Sequence, residues 1–120
     1  MKTHPLAYPN MRDELLEYLE DIKELSETEE NKLDENFNYI IHFLYDDTCL
    51  AENSEKAIGI ILENNDEANL IKNLIQKLNI AFDKYGKDIK CKELISKEIW
   101  KEILKISGNA KLFIEENNGK

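Results

Sequence analysis

The chain has 120 residues, a length typical of one domain with its own hydrophobic core. Hydrophobic residues make up 42% and charged residues 34%, which excludes a disordered chain, and no apolar run approaches the roughly 20 residues of a membrane-spanning helix. The net charge of −9 argues against nucleic-acid binding, which needs a basic surface to replace phosphate counterions.

The opening residues and the two cysteines indicate the cellular compartment of the protein. The first nine residues lack the apolar core of about 7–15 residues that a secretory signal requires. The two cysteines, Cys49 and Cys91, lack CxxC spacing and cannot form a disulfide framework, so they are typical of a reducing compartment. We therefore predict a cytoplasmic protein.

The chain opens with a predicted extended lead-in over residues 1–8, because Pro5 and Pro9 suit a lead-in or a first helical turn. The first helix is predicted over about Asn10–Leu25. Its apolar residues recur at spacings of three and four: Met11, Leu15, Tyr18, Leu19, Ile22 and Leu25. Ser26 with Glu29 forms a possible capping box for a short second helix through Leu33.

The stretch Phe37–Asp46 fits two patterns. Its aromatic residues alternate as in a strand, yet its apolar residues also satisfy helical spacing. Because no second strand is available to pair with it, we predict a largely buried helix. A loop over Thr48–Asn53 follows, and then a short helix, Glu55–Leu62, capped by Asn53 or Ser54.

Two longer helices complete the chain. Asn64, three residues before Glu67, predicts the start of a helix over Asp66–Tyr85, which Gly86 ends. Ser96 caps the last helix, which the pair Gly108-Asn109 is expected to interrupt, and residues 115–120 are expected to fray. The predicted inward residues of these helices are Leu70, Ile71, Leu74, Ile75, Leu78, Ala81, Phe82, Ile99, Trp100, Ile103, Leu104, Ala110 and Phe113.

The sequence contains no internal repeat and no Gly/Ser- or Pro-rich linker. The predicted fold is therefore an all-α, compact single-domain bundle of about five or six helices over residues 1–120.

The net charge is concentrated near the start of the chain. Residues 13–36 hold eleven acids and two lysines, which give −9, while fourteen acids and fourteen bases elsewhere cancel; between Lys84 and Lys111 eight lysines face four acids. A charged stripe is often only a solvated helix face, but a basic partner would relieve this repulsion and associate faster. The predicted partner-binding residues are Glu17, Glu20, Asp21, Glu24 and Glu27, with a second patch at Asp46, Asp47 and Glu52.

Evidence of catalysis is weak. His42 and Asp46 have the i,i+4 spacing of half a metal site or an acid–base pair, but we favour a half-buried histidine satisfied by a neighbouring carboxylate or carbonyl. The acids around Asp46 lack the glycine and alternating ligands of an EF-hand loop. Phosphate-binding glycine loops, GxSxG and HExxH are missing from the sequence. We therefore expect no enzyme activity, no metal and no cofactor.

Three segments carry a resemblance. Tyr8-Pro9-Asn10-Met11-Arg12, His42-Phe43-Leu44-Tyr45-Asp46-Asp47-Thr48 and Ala57-Ile58-Gly59 resemble a small family of poorly characterised bacterial cytoplasmic proteins over roughly residues 8–105. Small acidic helical proteins of this kind are also similar to immunity proteins of contact-dependent growth inhibition (the CdiI type). That second likeness implies a cytoplasmic antidote that binds and neutralises the C-terminal domain of a delivered toxin.

The leading hypothesis is an immunity protein that neutralises a basic toxin domain, expected to be a nuclease; the partner is the C-terminal domain of that cognate toxin. The alternative is a helical adaptor or regulator that acts through homo- or hetero-oligomerisation, for which Phe37, Tyr39 and Trp100 are candidates for an apolar face. A third class is an enzyme or metal protein that uses His42, Asp46 and Asp47.

Overall fold

The computed structural model describes residues 6–118, and the expectations for His4 and for residues 1–5 and 119–120 lie outside that range. Three 3-10 or π turns, Leu25–Glu27, Phe43–Asp47 and Ser54–Ala57, join parts of the helical chain, and residues 6–118 contain no β-strand. The all-α prediction is confirmed. The six helices are α1 (Pro9–Glu24), α2 (Glu30–His42), α3 (Leu50–Asn53), α4 (Asn65–Tyr85), α5 (Cys91–Leu94) and α6 (Glu98–Asn118).

The long helix α6 packs against both α1 and α4. It runs antiparallel to α1, because Arg12 near the start of α1 contacts Asn118 while Glu20 further along contacts Lys111. α2 packs on α1 and on the short helix α5. Between these helices lies a core of aliphatic and aromatic side chains, which includes Leu15, Leu19, Ile22, Phe43, Ile71, Leu74, Leu78, Ile103 and Ile114.

The second helix begins later than the sequence predicted and is longer. Ser26 lies in the 3-10 turn after α1 and caps no helix, and α2 begins at Glu30. The predicted break after Leu33 is wrong because Leu33, Phe37 and Ile40 form one buried stripe at helical spacing. The π turn that follows is closed by Thr48, whose hydroxyl donates to the Phe43 carbonyl at 2.8 Å.

The region between Thr48 and Leu62 differs from the prediction in both of its parts. A short helix forms where a loop was predicted, and a 3-10 turn forms where the helix Glu55–Leu62 was predicted. The expected loop contains the one-turn helix α3. Asn53 does act as a cap, since its side-chain oxygen accepts from the Glu55 N–H at 3.0 Å, but it caps a 3-10 turn that ends at Ala57. The chain then reverses at Gly59, whose φ of +85° favours glycine.

Both long C-terminal helices form. Two details of α6 differ from the prediction, one at Gly108-Asn109 and one at Ser96. Asn64 caps α4 by accepting from the Glu67 N–H, and Gly86 ends it with φ +91°. The predicted interruption at Gly108-Asn109 is wrong, because α6 continues through both to Asn118 and they lie on its exposed face. Ser96 lies two residues before α6 and its hydroxyl donates to the Glu93 carbonyl.

The end of α6 is held in place up to Asn118. The Asn117 side chain donates to Glu67 at 2.6 Å and that of Asn118 accepts from Arg12 at 2.7 Å. The helix itself therefore continues to Asn118, and the fraying expected from residue 115 stays a prediction. Within the described part of the chain, no helix has the length and apolar character needed to cross a membrane.

Candidate functional site

The predicted acidic residues of α1 project from the side of the helix opposite its core stripe. Because Leu15, Leu19 and Ile22 are buried at spacings of four and three, the positions between them turn outward. Glu17 and Glu24 are exposed, whereas Glu20 and Asp21 are half-buried. We call Glu17, Glu20, Asp21 and Glu24 the acidic face.

Two surface hollows meet along the acidic face. One, of about 330 Å³, lies between α1 and the end of α6 and is lined by Leu16, Glu17, Glu20, Asp21, Lys111 and Glu115. The other, of about 140 Å³, lies between α1 and α2 and is lined by Tyr18, Asp21, Glu24, Leu25, Thr28, Asn36 and Tyr39. Asp21 borders both hollows, and we call the second one the tyrosine notch.

Asp21 is the electrostatic centre of this surface. Partial burial, followed by the charges of Glu24, Glu17 and Glu20, raises the pKa of Asp21 above its ordinary value of 3.8. Among residues 6–118, Glu17, Asp21 and Glu24 form no ion pair. The fold therefore holds these carboxylates together without neutralising them.

Glu20 and Glu27 differ from the other predicted contact residues of α1 in their surroundings. Glu20 is partly compensated, because Lys111 lies 3.4 Å from its carboxylate and also contacts Glu115 at 3.1 Å. Glu27 is exposed in the 3-10 turn after α1 and borders neither hollow. The structure thus joins four of the five predicted α1 residues and sets Glu27 apart.

The predicted second patch is not a single surface. Asp46 pairs with His42 at 2.6 Å. Glu52 lies 3.7 Å from Lys56 and borders a separate hollow with Lys72. Only Asp47 is linked to the acidic face, since its charge contributes to raising the pKa of Tyr18, after burial, Glu14 and Asp21.

Tyr18 and Tyr39 give the acidic face an aromatic component. Tyr18 is half-buried, with its ring centroid 4.8 Å from that of Phe43, while Tyr39 is 54% exposed. The Tyr39 hydroxyl donates to Glu35 at 2.9 Å, and that bond raises the pKa of Tyr39. Tyrosine is enriched in protein interfaces because its ring offers rigid contact area and its hydroxyl a hydrogen bond.

The buried ion pair of Arg12 and Glu67 was missed in the sequence. Arg12 is 3% and Glu67 0% exposed, and both nitrogens of the guanidinium fork lie 2.7 Å from the Glu67 carboxylate oxygens. Arg12 also donates to Glu63, Asn118 and the carbonyl of Ile61. One signal was available: Arg12 lies three residues before Leu15, in register with the buried stripe.

This arginine cluster, formed by Arg12, Glu63, Glu67, Asn117 and Asn118, joins α1, α4 and α6. Burial pushes the pKa of Glu67 up, but the hydrogen bonds from Arg12, Asn117 and the Glu63 N–H, with the charge of Arg12, hold that pKa below its ordinary value of 4.5. No buried side-chain donor or acceptor of the cluster lacks a partner, so the cluster supports the fold.

The His42–Asp46 pair lies on the surface. Both side chains are more than 60% exposed, so the carboxylate partner of His42 is present but the predicted half-burial of the histidine is wrong. Among the residues described, no group of three or more histidine, cysteine or acidic side chains is arranged to hold a metal ion.

The cysteines differ in burial. Cys49 is half-buried and Cys91 buried. Burial, with the nearby charge of Asp34, raises the pKa of Cys91 to about 11, which keeps its thiol protonated and poorly nucleophilic at neutral pH.

The apolar face expected for an oligomeric adaptor is mostly inside the protein. Phe37 is 6% and Trp100 3% exposed, and their rings contact each other edge to face at 6.4 Å. The prediction that they form a surface is therefore wrong, and Tyr39 alone of the three is exposed.

The fold and this surface define an all-α protein with one acidic face built around a half-buried aspartate. The chain belongs to the family described as a domain of unknown function, DUF7945, whose model matches residues 6–120. No curated protein and no solved structure matched the chain.

Proposed function

We propose that this protein is a cytoplasmic immunity protein that binds a basic toxin domain through its acidic face and neutralises it. The observation that carries the proposal is the group formed by Glu17, Asp21 and Glu24, three carboxylates that form no ion pair with any residue in 6–118. Clustered like charges destabilise a helix, so a partner that supplies positive charge would relieve this cost.

The aromatic groups strengthen the proposal. An interface needs a few well-packed anchors in addition to charge, and tyrosine and arginine are the commonest of them. The tyrosine notch offers two phenol rings and two carboxylates, Asp21 and Glu24, to one basic side chain. A guanidinium placed there gains stacking on the rings and charge-assisted hydrogen bonds.

A nuclease domain is the partner class that fits this chemistry best. An enzyme that acts on nucleic acid has a basic surface that binds phosphates, and a row of carboxylates on a rigid helix can occupy such a surface in their place. The sequence resemblance to immunity proteins of contact-dependent growth inhibition points to the same partner, the C-terminal domain of a delivered toxin.

The test uses the C-terminal domain of the large secreted protein that the proposal expects to be encoded directly upstream of this chain. The wild-type protein should restore growth of cells that express that domain and should bind it rapidly. Glu17→Lys with Glu24→Lys should slow association about tenfold or more at low ionic strength, with a smaller effect at high salt. Glu20 is left unchanged because it contacts Lys111.

The matched control is Glu55→Lys with Asp88→Lys, two exposed acids that line neither hollow of the acidic face and whose replacement changes the net charge equally. Equal slowing by both double variants would mean that only net charge matters and would overturn the assignment of the face. A genome without such a neighbouring gene, or a wild-type protein that fails to bind and protect, would overturn the proposed function.

A further inference from the structure

A second surface, on the side of the molecule formed by α4 and α6, is lined by three lysines, Lys77, Lys84 and Lys97, and by two acids, Glu98 and Glu102. It is a groove of about 570 Å³ between the end of α4 and the start of α6. Ile80, which is 49% exposed, and the half-buried Ile99 supply apolar area. Lys84, Tyr85 and Lys97 lie at its end. We call it the lysine groove.

Two lysines share one aromatic ring in this groove. The ammonium nitrogens of Lys84 and Lys97 lie 5.4 and 5.0 Å from the centre of the Tyr85 ring, within the range of a cation–π contact. Neither forms an ion pair with another residue in the described part of the chain, whereas Lys77 pairs with Glu102 at 3.0 Å. The two charges at the end of the groove therefore lack an anionic partner.

The same chain presents the complement of this groove. The acidic face carries carboxylates without ion pairs beside the exposed ring of Tyr39, and the lysine groove carries ammonium groups without ion pairs beside exposed isoleucine. The two surfaces lie on different helices, so one molecule can use its groove while another uses its acidic face. Such a head-to-tail contact leaves one surface of each kind open at its ends.

We propose that the lysine groove binds the acidic face of a second copy of this chain, so that the protein self-associates head to tail. Tyr39 packs against Ile80 and Ile99, and Asp21 and Glu24 pair with Lys84 and Lys97. Since the acidic face becomes covered, self-association competes with binding of the basic partner proposed above.

Sedimentation velocity of the purified full chain over a range of concentrations tests this. The weight-average mass of the wild type should rise from that of one chain toward that of a dimer and beyond. Two variants each remove one surface: Lys84→Glu with Lys97→Glu removes the groove, and Glu24→Gln with Tyr39→Ala removes the acidic partner. Each should stay monomeric alone, and their mixture should form a one-to-one dimer, because one intact groove meets one intact acidic face.

Lys72→Glu with Lys105→Glu is the control, since both lysines are exposed outside the groove and the change in net charge is the same. This variant should associate like the wild type. A monomeric wild type, a monomeric control or a mixture that forms no dimer overturns the proposal. The variant Lys84→Glu with Lys97→Glu should keep its binding to the toxin domain, so failure of self-association is distinguishable from failure of the proposed function.

Discussion

The charged side chains near the two ends of α1 have opposite surroundings. At its start, Arg12 is buried and bonded to Glu67, Glu63 and Asn118. Nine residues later, Asp21 is half-buried among carboxylates of the same sign. One helix therefore carries a buried ionic cluster at its start and, near its end, three carboxylates, Glu17, Asp21 and Glu24, that form no ion pair with any described residue.

The difference separates charge that serves the fold from charge that serves a partner. A buried ion pair fixes how elements meet, because breaking it leaves an uncompensated charge in a low dielectric. Repelling surface carboxylates add nothing to the fold, so their removal should be harmless to stability and harmful to binding.

The largest effect is expected at the arginine cluster. Arg12→Ala leaves Glu67 buried without its main counter-charge and should lower the free energy of unfolding by about 3–5 kcal/mol. Urea denaturation followed by circular dichroism measures it. In a double-mutant cycle with Glu67→Leu, the two losses should be far from additive. A loss below about 1 kcal/mol for Arg12→Ala would show that the cluster is not a structural support.

The pH dependence of Glu67 should follow from its lowered pKa. A carboxylate whose pKa is lower in the folded state stabilises the fold above its ordinary pKa of 4.5, and the contribution is lost as the pH falls through the folded value. Glu67→Gln should therefore cost roughly 1.5–3 kcal/mol at pH 7, and less at acid pH. Denaturation curves at several pH values check this, and a loss independent of pH would contradict it.

Tyr39 should matter for binding and hardly for stability. Tyr39→Ala should weaken binding of the toxin domain by roughly 2 kcal/mol, as truncation of a central aromatic anchor does. Because the side chain is largely exposed, the free energy of unfolding should change by less than about 0.5 kcal/mol. Calorimetry and denaturation give the two numbers. The opposite pattern, a stability loss with unchanged binding, would assign Tyr39 to the fold.

The smallest effect is expected at Asp21 and has the opposite sign to that of Glu67. Its raised pKa means that the ionised form is disfavoured in the fold, a cost that is relieved as the pH falls through the folded pKa and absent below 3.8. Asp21→Asn should stabilise the protein at pH 7 by a few tenths of a kcal/mol, since solvent screens much of the repulsion. Asp88→Asn, in an exposed turn, is the control and should change nothing. Destabilisation by Asp21→Asn would break the contrast between the two ends of α1.

The sequence predicted the fold class well because its long helices carry regular apolar stripes. The limits of α1 and α4 are within one residue of those expected, and the Asn64 and Gly86 signals both operate. The predicted break at Gly108 was wrong because a glycine on an exposed helix face costs only about 1 kcal/mol of stability. The packing of Ala110 and Ile114 in the core outweighs that cost.

The sequence predicted most of the acidic residues of the candidate site but not how they are arranged in space. Periodicity alone gathered the acids of α1 on one side of the helix. Periodicity did not predict that Tyr39 of α2 borders this site, or that Lys111 of α6 pairs with Glu20. Asp47 and Glu52 are five residues apart but lie in different surroundings, because the chain changes direction after the π turn.

A structure of the complex with the toxin domain would show whether the acidic face is the binding surface. We expect Asp21, Glu24 and Tyr39 to be covered and a basic side chain of the toxin to enter the tyrosine notch, while the arginine cluster keeps its internal bonds. A complex in which the toxin contacts another surface and Glu17 to Glu24 face bulk water would contradict it.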